Sequence, residues 1–148
     1  DVDRHPQGRV VTVAYYAMLR LFGDKTPKPV IDFAKNAQWV NVNEIPKLAF
    51  DHQKIFEKGL EKIKRRIKHQ PIAFELLPEK FTLTQLQQVY ELVLGKKLDK
   101  RNFRKKMLNF GILKDLEEKQ KGVSFRAATL YKFDRRKYTK LFGKEISF

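Results

Sequence analysis

The second half of the chain carries start and stop signals for two short, consecutive helices, and this order constrains the fold more than any other feature. Capping boxes fit at residues 82–85 and at residues 84–87, so the first helix begins at one threonine or the other. Gly95 suits the left-handed position that ends this helix. Asp99 then suits the N-cap of a second helix, and Gly111 suits its end. The sequence therefore predicts two helices joined by a tight turn.

A β-hairpin is predicted to follow the two helices. Residues 112–117 and 124–133 read as strands, and the charged segment 118–122 between them ends in a glycine. Two helices followed by a hairpin with a basic tip are typical of a winged helix-turn-helix. We therefore expect an α+β fold in which residues 71–148 form a winged helix-turn-helix domain.

The second of these helices is unusually basic. Seven basic residues fall within the eleven positions 96–106, and Asp99 is the only acid among them. An ordinary solvated helix would need interleaved acids, whereas Lys and Arg bind phosphates, and Arg and Asn can pair with guanine and adenine. We therefore predict that residues 100–109 form a recognition helix in the major groove of DNA. The predicted contact residues on it are Lys100, Arg101, Asn102, Arg104, Lys105 and Asn109.

Further DNA contacts are predicted on both sides of this helix. The start of the preceding helix offers backbone N–H groups and side chains that commonly hold a phosphate. The residues expected there are Thr82, Thr84 and Gln85. In the hairpin, Lys119, Lys121 and Arg126 are placed to reach a neighbouring minor groove, although a charged edge that resists aggregation explains them equally well.

The charge of the whole chain agrees with a polyanionic partner. The 148 residues include 32 basic and 17 acidic side chains, for a formal net charge of +15. There is no cysteine, which excludes disulfides, thiolate catalysis and cysteine zinc sites, and the three histidines lack metal-ligand spacing. No catalytic residue, metal or cofactor is predicted. With no apolar run near the roughly 20 residues of a membrane span and no signal peptide, a cytoplasmic protein is expected.

The first half of the chain is predicted to contain two strands and a long helix. Residues 10–21 form a nearly continuous apolar run that reads as a buried strand, and residues 38–42 alternate like a short strand. Asp51 suits the cap of a helix that runs to about His69. Its predicted apolar stripe consists of Phe56, Leu60, Ile63 and Ile67. Because Pro71 follows this helix, we expect a domain boundary after residue 70.

Four segments together resemble the Nudix-related transcriptional regulators. They are DRHPQGRVVTVAYYAML (3–19), LAFDHQKIFEKGLEKI (48–63), PIAFELLPEKFTLTQLQQVYE (71–91) and LDKRNFRKKML (98–108). The resemblance implies a Nudix-like effector domain, of which residues 1–70 are the back part, joined to a winged helix that binds operator DNA as a homodimer. It also implies control by a sugar or nucleotide-sugar metabolite. Arg4, His5 and Arg9 would lie near the ligand cleft, although a polar loop entering a strand fits them at least as well.

The resemblance has two departures from the family pattern. The Nudix catalytic signature would precede Asp1, so we expect a piece of a longer protein and no pyrophosphohydrolase activity from these residues alone. The hairpin is also poorer in Gly, Arg and Pro than is usual in the family, which weakens the prediction for Arg126. The expected function is a sequence-specific repressor or activator of a bacterial metabolic operon. The alternatives are an ADP-ribose-type Nudix hydrolase with a basic appendage and, third, an RNA-binding winged helix.

Overall fold

The computed structural model describes residues 8–20, 38–122 and 127–143. The helices are α1 (His52–His69), α2 (Ile72–Glu75), α3 (Leu83–Leu94), α4 (Lys100–Asn109) and α5 (Arg135–Phe142). The strands are β1 (Leu113–Lys119) and β2 (Thr129–Phe133), and a 3₁₀ turn spans Val42–Glu44. The chain divides into two compact units, Asp1–Ile63 and Lys64–Phe148. This division falls inside α1.

The two strands predicted in the first unit are not present in its described part. Residues 10–20 are neither helical nor paired as a strand, and the side chains there are largely exposed, with Val11 at 93%. A strand exists only through hydrogen bonds to a neighbouring strand, and no described strand pairs with this segment. Residues 38–42 form no strand either, because the Asn41 side chain accepts the Asn43 N–H at 3.0 Å and starts the 3₁₀ turn instead.

The long helix is confirmed. α1 begins at His52, directly after Asp51, and ends at His69. Its apolar stripe becomes more buried along its length, so that Ile67 is completely buried in the second unit. Among the described residues, no helix is both long and apolar enough to span a bilayer.

The predicted pair of short helices is also confirmed. α3 begins at Thr82 rather than Thr84, because the Thr82 hydroxyl accepts the Gln85 N–H at 3.1 Å while the Gln85 side chain accepts the Thr82 N–H at 2.8 Å. Gly95 ends the helix with φ +68°. The Asp99 carboxylate accepts the Asn102 N–H at 2.7 Å and caps α4. Local capping chemistry thus sets both helices, as expected from side chains that satisfy free N–H groups.

The hairpin is present, with strands that differ from the predicted ones. β1 runs two residues further than expected, and β2 begins at Thr129, later than the predicted start at residue 124, with residues 123–126 outside the described part. The strands are antiparallel, with Asp115 opposite Tyr131 and Lys119 opposite Thr129. β1 therefore has two more residues than β2 between these pairs, which marks a bulge, and Glu117 there has φ +57°.

Two helices were missed by the sequence analysis. α2 is a single turn after Pro71, and its Phe74 ring stacks on Phe133 of β2 with 4.2 Å between centroids. α5 follows β2 and begins where the Asp134 carboxylate accepts the Lys137 N–H at 2.9 Å. Its Tyr138 ring packs against Phe133 at 5.7 Å. Aromatic packing across the sheet thus holds two elements that are too short to show clear periodicity.

Candidate nucleic-acid interface

A groove of about 780 Å³ lies where the starts of α3 and α4 meet the hairpin. Its lining includes Thr82, Thr84 and Gln85 from α3, Lys100 and Arg104 from α4, and Lys119, Gln120 and Thr129 from the hairpin. None of the residues that line it is an aspartate or glutamate. The structure thus brings six of the predicted DNA contacts together in one cationic concavity, although they come from separate parts of the sequence.

Backbone pairing holds the start of α3 against the hairpin. The Phe81 N–H donates to the Tyr131 carbonyl at 2.9 Å, and the Tyr131 N–H donates back to the Phe81 carbonyl at 2.8 Å. Phe81 and Tyr131 are both buried. The residue after Phe81 is the N-cap of α3, so this two-bond bridge sets the position of that helix start beside β2.

The three predicted contacts at the start of α3 differ in what their side chains can do. Thr82 is 3% exposed and its hydroxyl caps the helix, so its side chain serves the fold. The Gln85 side-chain oxygen is engaged in the same capping box. Thr84 is exposed at the groove, where its hydroxyl is available to a phosphate oxygen.

The helix α4 presents its cations on different faces. Phe103 and Met107 are buried against the rest of the unit. Lys100 and Arg104, one turn apart, line the groove. Helical geometry at about 100° per residue places the other polar residues away from the buried face. These outward residues are Arg101, Lys105 and Asn109, and all three are exposed.

Asn102 lies on the other flank of α4. It lines a second cavity of about 340 Å³, between α4, the end of α3 and the end of α1. Tyr90 also lines this cavity. Burial is the main cause that raises the pKa of the Tyr90 hydroxyl to about 12, and the nearby Tyr138 contributes to this rise. Asn102 therefore faces a different side of α4 from Lys100 and Arg104, which line the groove.

Two acids near the hairpin, Glu79 and Glu118, form ion pairs outside the groove. Glu118 accepts two hydrogen bonds from Lys80, at 2.7 and 2.8 Å, and Glu79 pairs with Lys132. The hydrogen bond and charge of Lys132 lower the pKa of Glu79, with Lys80 contributing, so this carboxylate is ionised at neutral pH. Lys119 donates to the Thr129 hydroxyl at 2.7 Å and lines the groove. The groove therefore keeps its positive character.

Some predicted contacts lie elsewhere. Lys121 is exposed in the turn after β1 and does not line the groove. Arg126, Arg4 and His5 fall outside the described residues. Arg9 is exposed in the segment 8–20, which contains no described helix or strand.

Gln88 and Gln120 are among the groove residues that the sequence analysis missed. Gln88 lies one turn after Thr84 on the same face of α3, so helical spacing from the predicted contacts was the signal that pointed to it. Gln120 directly follows β1, and no sequence pattern marked it, because its place depends on the bulge before it.

Residues 73–133 match the family described as the NrtR DNA-binding winged helix domain. This match agrees with the resemblance to the Nudix-related regulators that the sequence indicated. The matched range runs from the second residue of α2 to the last residue of β2 and so contains every element that lines the groove. The family resemblance and the α+β fold expected from the sequence are confirmed.

Similar proteins include regulators and an enzyme. The ADPR responsive transcriptional repressor NtrR of Acinetobacter baylyi is 30% identical over 150 residues, which cover 100% of this chain and 58% of that protein. The ADP-ribose pyrophosphatase of Methanocaldococcus jannaschii is 38% identical over 55 residues, which are 37% of this chain and 30% of that one. The crystal structure of Shewanella oneidensis NrtR complexed with a 27mer DNA has a TM-score of 0.48 and 29% identity, over 65% of this chain and 43% of that chain. The chain therefore spans less than two thirds of the length of these relatives.

Proposed function

We propose that this chain is a sequence-specific, DNA-binding transcriptional regulator of a bacterial metabolic operon. The observation that carries the proposal is the groove, in which α3, α4 and the hairpin present cations and amides without a carboxylate. Such a surface attracts a polyanion, and its amide side chains can hydrogen-bond to bases. The match to the NrtR DNA-binding winged helix domain indicates that this polyanion is duplex DNA.

In this proposal α4 enters the major groove of DNA. A helix with its side chains is about 10–12 Å wide, and the major groove is about 12 Å wide. The outward residues Arg101 and Lys105 then face base edges, with Asn109 beside them. Lys100, Arg104 and Lys119 hold the phosphates of one strand along the groove between α4 and the hairpin. Thr84 adds a neutral contact to the same strand.

We further propose that two copies act as a homodimer on a palindromic operator, whose half-sites lie about one helical turn apart or a multiple of it. The effector is a nucleotide-sugar of the ADP-ribose class, and binding represses transcription, as the name of the Acinetobacter baylyi relative suggests. Arg4, His5 and Arg9 are the candidate effector contacts. Because its target is bacterial DNA, the protein acts in the cytoplasm.

Fluorescence anisotropy on genomic duplex fragments tests this function. The protein is titrated at several salt concentrations with random duplex as competitor, and ADP-ribose is then added to the bound sample. We expect one upstream region to stay bound under competition at physiological salt, and ADP-ribose to change its affinity. Binding that collapses with salt and ignores sequence would contradict a regulator.

A second candidate function is an ADP-ribose-type Nudix pyrophosphohydrolase with a basic appended domain. The match to the Methanocaldococcus jannaschii enzyme supports it. The test is release of phosphomonoester products from ADP-ribose with Mg²⁺, measured on the protein with and without operator DNA. Turnover in the absence of sequence-specific binding would favour the enzyme over the regulator.

A further inference from the structure

The flank of α4 that faces away from the groove is strongly cationic. Lys68 of α1, Lys96 of the turn before α4 and Lys106 of α4 line the cavity of about 340 Å³ together with Asn102. All four residues are exposed. Among the described residues none of the three lysines forms an ion pair, whereas the neighbouring Lys97 pairs with Glu91. Three separate elements therefore bring unpaired positive charges to the rim of this cavity.

The floor beneath these lysines is apolar and fixed. Phe103 and Met107 are buried there, and Lys106 lies 5.9 Å over the Phe110 ring. The one carboxylate at the rim, Asp99, accepts the Asn102 N–H at 2.7 Å and caps α4. A lysine that rests on an aromatic face keeps its ammonium group at the rim, where an anion from outside the protein can reach it.

This flank and the groove lie on nearly opposite sides of the same helix. Asn102 follows Lys100 by two residues, which is a rotation of about 200° around the helix axis. A helix of about 10–12 Å in a major groove of about 12 Å has one sugar–phosphate backbone on each side. If the strand on the Lys100 side lies in the groove, the other strand passes the Asn102 side.

We propose that Lys96, Lys106 and Asn102, with Lys68 behind them, form a second phosphate-binding site for the opposite strand of the duplex. The inference rests on the proposed DNA-binding function. It adds contacts to the second DNA strand, which the residues of the groove do not reach. Recognition is through charge and one amide hydrogen bond, so this site raises affinity for any duplex sequence and contributes to the salt dependence.

The test uses duplexes in which single phosphates are replaced by neutral methylphosphonates, scanned along both strands of a bound site. Binding is measured by anisotropy for the wild type, Lys106→Ala and Lys100→Ala. A residue contacts a given phosphate if neutralising that phosphate weakens DNA binding by the wild type but no longer weakens DNA binding by the variant that lacks the residue. We expect Lys106→Ala and Lys100→Ala to identify phosphates on opposite strands. Lys96→Ala should identify a phosphate next to the one that Lys106 contacts.

The matched control is Lys140→Ala on α5, which removes the same charge from an exposed position that lines neither cavity. Lys106→Ala should reduce the slope of log K against log salt by about 0.9, and Lys140→Ala should leave it unchanged. The inference is overturned if Lys106→Ala couples to no phosphate, or to the same strand as Lys100→Ala. Failure of the wild type to bind duplex at all would instead overturn the proposed function.

Discussion

The Glu91 carboxylate accepts the backbone N–H of Leu98 at 2.9 Å and so joins the end of α3 to the turn before α4. The same carboxylate accepts a hydrogen bond from Gln87 at 2.9 Å and pairs with Lys97 at 3.2 Å. Gln87 also donates to the Leu98 carbonyl at 2.9 Å. Two side chains of α3 thus satisfy both backbone groups of Leu98, and the angle at which α4 leaves the turn depends on them.

This arrangement predicts a pH-dependent contribution to stability. The Leu98 N–H, then Gln87 and Lys97, lower the pKa of Glu91 from 4.5 to about 2, and the Glu91 side chain is only 12% exposed. A lowered carboxyl pKa stabilises the folded state fully above pH 4.5, and this stabilisation is lost as the pH falls towards 2. Glu91→Gln should therefore lower the Tm at pH 7, and the difference from wild type should shrink below pH 4.5.

Thermal melts of both proteins between pH 2.5 and pH 7 measure this effect. Glu79→Gln is the control, because the Glu79–Lys132 pair is exposed and solvent screens it. A Tm difference for Glu91→Gln that stays constant across this pH range would show that the carboxylate charge does not matter.

The capping box at Thr82 predicts a second outcome. Thr82→Ala removes the hydroxyl that accepts the Gln85 N–H, and should destabilise the protein by about 1 kcal/mol. Thr84→Ala, two residues later on an exposed site, should change the stability by less than about 0.5 kcal/mol. Urea unfolding measures both, and equal losses would argue against Thr82 as the cap.

Two leucines of α3 give a matched test of the core. Leu86 is fully buried, whereas Leu92 is 82% exposed on the same helix. Leu86→Ala should cost about 2–5 kcal/mol through lost burial and the cavity that remains. Leu92→Ala makes the same chemical change at the surface and should stay within about 0.5 kcal/mol of wild type. Similar values from urea unfolding would mean that α3 packs through another face.

Two glycines should respond to alanine with opposite signs. Gly95 has φ +68°, a left-handed conformation that costs an L-residue about 1–2 kcal/mol, so Gly95→Ala should lower the stability. Gly59 lies inside α1 with open space around its Cα, so Gly59→Ala should stabilise by about 0.5–1 kcal/mol. Thermal melts followed by helix circular dichroism compare the two, and a gain for Gly95→Ala would contradict the left-handed helix end.

Two arginines of α4 should separate sequence reading from phosphate binding. Arg101→Ala should lower affinity for the operator by about 1–3 kcal/mol with little effect on random duplex, because it removes the proposed base contact. Arg104→Ala should weaken binding to both duplexes alike and reduce the salt slope by about 0.9, because Arg104 lines the groove proposed to hold phosphates. Anisotropy titrations on both duplexes measure this, and equal losses for Arg101→Ala would leave it as a phosphate contact.

The features that could be predicted are those that depend on residues within one turn of each other. The cap at Asp99, the capping box at Thr82 and the glycine end at Gly95 were all predicted, because each depends on groups three or four positions apart. The two caps accept the N–H three residues later, and the Gly95 N–H donates to the Glu91 carbonyl. The concentration of charge on α4 was equally visible, since charge needs no folding to be counted. These local signals were enough to predict the winged helix.

Long-range packing sets where strands form and which charges share a surface. Residues 10–20 have a strand-like sequence and form no strand among the described residues, because a strand depends on a partner that local sequence does not supply. α5 was missed although the Asp134 cap is a local signal, and its Tyr138 packs on Phe133 of β2. Long-range packing also separates Arg104 in the groove from Asn102 on the far flank. Their roles depend on which distant segments fold against each side of α4, and such long-range contacts leave no mark at short spacing.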